Sequence, residues 1–256
     1  MSEPYQELRP GPNGWAGLEL SGLDDLGDDA PERLWARGDE NLWLRRPIAI
    51  VGSRASTAYG ELVASQLAAD LAAAGHSIIV EVGYGVAMAA MRGALAQEGH
   101  VLALSAAGID SDYPRAAEAL NQQMIISGTV LTEVEPDKQP TRTAFLRRSR
   151  LAAALSSAVI VVEGASRSSA AHTAQAAHEL GRLVMAVPGP VTNATSYLPH
   201  RLIQQGKASL VTGSQDVLDA MQRPTTRTER IYYSADDVPG NTTADTDSPF
   251  EEDLHV

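Results

Sequence analysis

The 256-residue sequence predicts an α/β protein with a doubly wound, mostly parallel sheet and helices on both faces. Three observations carry that prediction. Short strand-length runs of Val, Ile, Leu and Ala recur through the middle of the chain, and longer stretches with helical periodicity separate them. Gly- and Ser-rich turns follow the apolar runs, where parallel sheets place their ligand-binding crevices. The apolar content of 44% suffices for one sizeable core, built mainly from aliphatic residues because aromatics make up only 5%.

Residues 1–30 are rich in Gly, Pro and Asp, with an acidic run from Asp24 to Asp29, and predict a flexible lead-in. From residue 31 the chain offers Leu34, Trp35, Leu42, Trp43 and Leu44 for packing onto the main body. Residues 47–51 (PIAIV) read as a buried strand. GSRAST then leads into a helix over 58–74. Val63, Leu67 and Leu71 recur there at helical spacing, Ser56 or Thr57 can cap the start, and Gly75 ends it. Residues 77–82 (SIIVEV) are a second strand and 86–97 a second helix, closed by Gly99. Residues 101–104, 158–162 and 183–187 complete the strands, with a helix over 170–180 stopped by Gly181. One domain over 31–222 accounts for these elements, and the polar, acidic residues 223–256 predict a disordered tail.

The net charge of −12 is unevenly distributed. Residues 1–45 carry ten acidic against four basic side chains and residues 224–256 eight against two, while 46–223 hold fourteen of each sign. The central body is therefore neutral and free to present a basic face.

The absence of cysteine excludes disulfides and thiolate metal sites. The N-terminus has neither a basic region nor the apolar core of a secretory leader, and no run approaches membrane-spanning length, so a cytoplasmic protein is expected. No cofactor or metal is expected either. His172 and His178 are six apart and do not share a helical face. G-x-S-x-G, G-x-G-x-x-G and Walker A sequences are absent, and no spacing marks Glu133 and Glu163 as an acid–base pair. The chain is not expected to be an enzyme.

Two clusters are candidates for binding. Gly52, Ser53 and Arg54 lie where a strand hands over to a helix, a position whose backbone N–H groups favour an anion and where arginine adds a bidentate phosphate donor. The alternative is a tight turn carrying a surface arginine. Arg142, Arg147, Arg148 and Arg150 form the densest basic cluster, with Phe145 inside it. Guanidinium groups suit phosphates and an aromatic face suits an unstacked base. The alternative is a solvated basic turn with its Phe tucked into the core.

Seven segments together resemble the DprA/Smf family of DNA-processing proteins. They are VGSRASTAYG (51–60), GYGVAMAAMRGAL (83–95), GIDSDYP (108–114), GTVLTEVEP (128–136), FLRRSRLAAALS (145–156), VVEGASRSSAAHTAQAAHELGRLVMAVPG (161–189) and HRLIQQGKASLVT (200–212). The resemblance covers about 31–220 and implies an extended Rossmann-like domain that binds single-stranded DNA, loads a RecA-type recombinase and forms a homodimer. By position it assigns Gly52, Ser53 and Arg54 to a phosphate-binding motif. It assigns Phe145, Arg147, Arg148 and Arg150 to the arginine motif that meets DNA, and Ser168 and Thr173 to the lining of the same pocket.

The departures are specific. Where the family reads S-G-x-A-x-G-I-D-x-x-A-H, this chain has Val80, Glu81, Gly83, Gly85, Val86, Ala87 and Met91, losing the Ser, Asp and His. Leu146 and Ser149 replace the Pro and Asn of F-P-x-R-N-R. Glu81 brings a negative charge towards the expected phosphate site unless it points away. These changes mark a divergent member. They also leave two other classes to weigh: a nucleotide-binding sensor on the same scaffold, and a nucleotide or nucleoside phosphohydrolase, whose P-G-G-x-G-T loop is here only EGASRSSAAHT.

Overall fold

The computed structural model of the chain describes residues 5–15, 20–38, 44–111, 113 and 128–223. Among them, β3 (Ile48–Val51), β4 (Ile78–Glu81), β5 (Val101–Ser105), β6 (Gly128–Thr132), β7 (Ala158–Val161), β8 (Leu183–Ala186) and β9 (Ser209–Leu210) run parallel. The strands β1 (Gln6–Leu8) and β2 (Leu34–Gly38) extend one edge antiparallel. The sheet order is β1-β2-β6-β5-β4-β3-β7-β8-β9.

Side chains alternate across this sheet and build a core on each side. Ala49, Val51, Val159 and Val161 face one layer, and Ile48, Ile50, Ala158 and Ile160 face the other. The first layer is closed by α3 (Arg142–Leu155), α4 (Ala170–Glu179) and α5 (Tyr197–Gln204). The second is closed by α1 (Ala58–Ala73), α2 (Val86–Leu95) and α6 (Ser214–Gln222). Burial on both faces explains why the central strands read as continuous apolar runs rather than alternating ones. The doubly wound α/β fold is as expected from sequence, and the five strands expected there lie within one residue of their observed ends.

Several elements were not legible in that way. The lead-in expected over 1–30 is corrected for its described part. Trp15, Leu20 and Leu23 are fully buried in the α3/α4 layer, and residues Ser21–Asp29 form a 3-10 segment against it. The backbone N–H of Trp15 donates to the Asp24 carboxylate at 3.0 Å, and its indole donates to the Pro31 carbonyl at 3.1 Å. Part of the acidic run is thus tied into the fold. Residues 142–150, read from sequence only as a basic cluster, begin α3, which Thr141 caps by accepting from Ala144 N. The expected packing roles of Leu42 and Trp43, and the expected disorder of the tail after Arg223, lie outside the described residues.

No helix among the described residues is long and apolar enough to cross a membrane. From β3 the chain moves through α1 to β4 on one side, whereas β7 and β8 lie on the other. The gap between β3 and β7 is therefore the topological switch point, and their C-terminal ends are where a ligand crevice forms.

Candidate nucleic-acid interface

The turn after β3 is shaped by its neighbour rather than by a ligand. Ser53 Oγ accepts from Ala55 N at 3.1 Å, and the Ser53 carbonyl accepts from Val86 N at 3.2 Å, satisfying one orphan donor at the start of α2. That contact needs two glycines. A Cβ on Gly52 would sit 2.7 Å from Val86, and one on Gly85, whose φ is 68°, would sit 2.4 Å from the Ser53 carbonyl and 2.8 Å from that of Arg54. The turns after β3 and β4 are thereby locked together.

The N-terminus of α1 is filled by the protein itself. Glu163, at the end of β7 and buried, accepts from Thr57 N at 2.9 Å, Thr57 Oγ1 at 2.6 Å and Thr195 Oγ1 at 3.0 Å. Thr57 Oγ1 in turn accepts from Gly60 N. A carboxylate at this spot serves the helix dipole as a bound anion would. At the GSR turn the exposed Arg54 side chain has no ion pair among the described residues.

A second buried carboxylate lies beneath the crevice. Glu81 receives a salt bridge from Arg148 Nη2 at 2.6 Å and a short hydrogen bond from Thr173 Oγ1, while Arg148 Nη1 donates to the Val82 carbonyl at 2.8 Å. All three side chains are buried. This refines two expectations: Arg148 is held by Glu81 at the floor of the strand-end depression, and Thr173 is buried behind that floor instead of lining an open pocket. It also answers the question raised by Glu81, whose charge is compensated from within.

Phe145 is half-buried between these levels. The Arg148 guanidinium lies over its ring at 5.0 Å and that of Arg54 at 5.8 Å, and Tyr113 meets it edge-on at 6.1 Å. Tyr113 belongs to the loop after β5, which Arg37 of β2 anchors by donating to the Ile109 carbonyl at 2.8 Å and pairing with Asp110. Arg150 donates to both oxygens of Glu133, at 2.8 and 3.0 Å, and Arg147 lies 3.8 Å from the same carboxylate. Ser168, partly exposed on the rim, accepts from Ala170 N at 3.3 Å at the start of α4.

The structure thus brings Gly52, Ser53, Arg54, Phe145 and Ser168 to the strand ends, keeps Arg148 and Thr173 below them, and turns Arg147 and Arg150 towards Glu133. Sequence reasoning did not find Tyr84, Tyr113 or Arg37, although Tyr84 and Tyr113 lie in strand-end loops that the parallel-sheet rule had marked. The depression between Arg54, Gly83, Tyr84 and Ser169 holds only about 20 Å³. Small-molecule pockets run to roughly 300–1,000 Å³, so this is a contoured surface rather than an enclosed ligand site. A cleft of about 750 Å³ lies on the other flank of α3, but five carboxylates share its walls with four arginines, a poor match for phosphates. No group of three or more His, Asp and Glu side chains among the described residues is placed to hold a metal.

Fold and site define a doubly wound α/β protein with a cationic, aromatic surface across its strand ends. The chain belongs to the DNA recombination-mediator protein A family, whose model matches residues 20–222. It is 41% identical over 220 residues to a putative DNA processing protein DprA of Mycobacterium tuberculosis, covering 83% of this chain and 56% of the relative. It is 36% identical over 223 residues to the Smf protein of Escherichia coli, covering 87% and 58%. The chain therefore spans somewhat over half the length of these relatives. Among solved structures, DprA from Streptococcus pneumoniae superposes with a TM-score of 0.78 at 32% identity, covering 85% of this chain and 74% of that one. DprA from Helicobacter pylori, described as having a unique single-stranded DNA binding mode, superposes with a TM-score of 0.74 at 27% identity, covering 85% and 95%.

Proposed function

We propose that this chain is a non-catalytic single-stranded DNA-binding protein of DNA processing and recombination. The observation that carries this reading is Arg54. It is exposed, has no ion pair among the described residues, and sits over Phe145 at the switch point of the sheet. Arg54 meets backbone phosphate while the Phe145 ring holds its guanidinium in place, with Gly52, Ser53 and Ser168 shaping the surface around it. Arg147 is a second exposed cation, and Arg150 joins it where Glu133 releases them. The binding described for the Helicobacter pylori relative supports the same ligand.

A phosphohydrolase or nucleotide sensor has less support. Glu81, Glu133 and Glu163, the carboxylates at these strand ends, are all engaged by Arg or Thr partners, which leaves none poised as a general base. The depression is also too small to enclose a nucleotide. Protection of single-stranded DNA, loading of a RecA-type recombinase, a homodimeric state and a cytoplasmic location complete the reading, and family membership is what supports them.

The test is fluorescence anisotropy of a labelled single-stranded oligonucleotide across a salt series. Log K falls with log salt by about 0.7 per phosphate contacted, so Arg54→Ala should weaken binding and flatten the slope by about that amount. Absence of binding by the folded protein at low salt would overturn the reading.

A further inference from the structure

We infer that Tyr84 is the nucleobase-stacking platform of this surface and gives it preference for unpaired over paired DNA. The inference rests on the single-stranded DNA reading above and adds to it a residue that neither the motif assignments nor the arginine cluster supplied.

Phe145 is the aromatic that the sequence singled out. Two guanidinium groups already lie over its ring, and the Tyr113 edge packs against it, so a base could stack there only by displacing Arg54. Tyr84 is different. Its side chain is 42% exposed, and among the described residues it makes no hydrogen bond, ring contact or cation–π contact. It lines the same depression as Arg54.

Its position is also fixed. Tyr84 lies between Gly83 and Gly85, and Gly85 is pressed against the Ser53 and Arg54 carbonyls so closely that only a residue without Cβ fits. Below, Arg148 holds the Val82 carbonyl from the protein interior. The tyrosine therefore stands on a backbone braced from both directions, beside an unpaired arginine. An exposed aromatic ring held next to a phosphate-binding cation is the arrangement that receives a base and its own phosphate together. A base in a duplex offers no free face, so such a platform discriminates against paired DNA without reading sequence.

The experiment compares wild type, Tyr84→Ala and Tyr84→Phe for binding to oligo-dT and to an abasic oligonucleotide of equal length and charge. Tyr84→Ala should weaken oligo-dT binding about 5- to 150-fold, the equivalent of roughly 1–3 kcal/mol for one stacked base. Tyr84→Phe should bind like wild type. On the abasic strand all three should bind alike, because no base is present to stack, and the salt slope should be common to all three. Equal loss on both oligonucleotides would make Tyr84 a structural residue and overturn the inference, as would unchanged oligo-dT binding by Tyr84→Ala. Failure of the wild type to bind either strand would overturn the single-stranded DNA reading itself, which is a distinguishable result.

Discussion

Arg148 and Glu81 form a buried ion pair, with Nη2 2.6 Å from Oε2, directly beneath the surface that Arg54 and Tyr84 present. The pair joins α3 to the end of β4, and Thr173 on α4 closes it from a third element. Arg148 also holds the Val82 carbonyl and lies over Phe145. The surface presented by Arg54 and Tyr84 thus rests on a polar network that joins three elements of the fold.

Breaking that pair from one side should be costly. An uncompensated buried charge typically destabilises by about 3–5 kcal/mol, whereas replacing both partners by apolar groups of similar volume is often close to neutral. Arg148→Met alone should therefore lower the urea midpoint strongly, and Arg148→Met combined with Glu81→Leu should recover much of the loss. Equal destabilisation by the single and double variants would show that packing of the Arg148 stem, rather than its charge, is what matters there.

Glu163 makes a comparable but separate prediction. Its carboxylate accepts from Thr57 N, Thr57 Oγ1 and Thr195 Oγ1 inside the protein. Removing a charged acceptor from buried donors costs about 1.5–3 kcal/mol. Glu163→Ala should show a loss of that size in chemical denaturation, with the start of α1 losing amide protection first in hydrogen exchange. Uniform loss of protection across the sheet would argue against a role confined to the α1 cap.

The sheet was legible because its central strands are buried on both faces. PIAIV and AVIVV can hardly be anything but core. β2 was less so. Its residues Leu34–Gly38 carry signals of opposite meaning: Leu34 and Trp35 are packing types, whereas Arg37 is a charged type that is buried because it donates to the Ile109 carbonyl and pairs with Asp110. The same physics hid the inner network. A sequence shows that Arg148 and Glu81 are charged but not that they meet across 67 positions, so Arg148 read as a DNA contact and Glu81 as an obstacle to one. Arg54 and Phe145 stood out in the sequence because each type suits nucleic acid on its own, and the fold places one over the other. Tyr84 was not, since exposure and the occupied state of Phe145 are properties of the fold.

A pH dependence follows at the edge of the site. The Tyr59 hydroxyl donates to the Pro188 carbonyl at 2.7 Å, and partial burial, followed by the nearby Glu163 charge, raises its pKa above the ordinary tyrosine value of 10.0. The folded state thus favours the protonated phenol. This contribution to stability is complete below the unfolded value and is lost as pH rises through the folded one. Ultraviolet tyrosinate titration should resolve one late-titrating group in wild type that is absent from Tyr59→Phe, and the variant should lose stability less steeply under alkaline conditions. Coincident titration curves after allowing for one fewer tyrosine would rule this out.

Glu133 sets how many cations α3 can offer to DNA. It holds Arg150 by two contacts and Arg147 at 3.8 Å, yet Arg147 is 58% exposed while Arg150 is only 19% exposed. A long exposed ion pair contributes little, so Arg147 can leave Glu133 at small cost, whereas the less exposed Arg150 is held closely, its Nη2 donating to both carboxylate oxygens. Glu133→Gln removes the competing charge from both. It should raise affinity for single-stranded DNA at low salt and steepen the log K–log salt slope by about 0.7 for each arginine that takes up a phosphate. Glu135→Gln, which changes the same net charge at an exposed side chain with no ion pair among the described residues, is the control for a general electrostatic effect. An equal response of the two variants would place Arg147 and Arg150 off the DNA path, leaving the strand-end surface around Arg54 to bind alone.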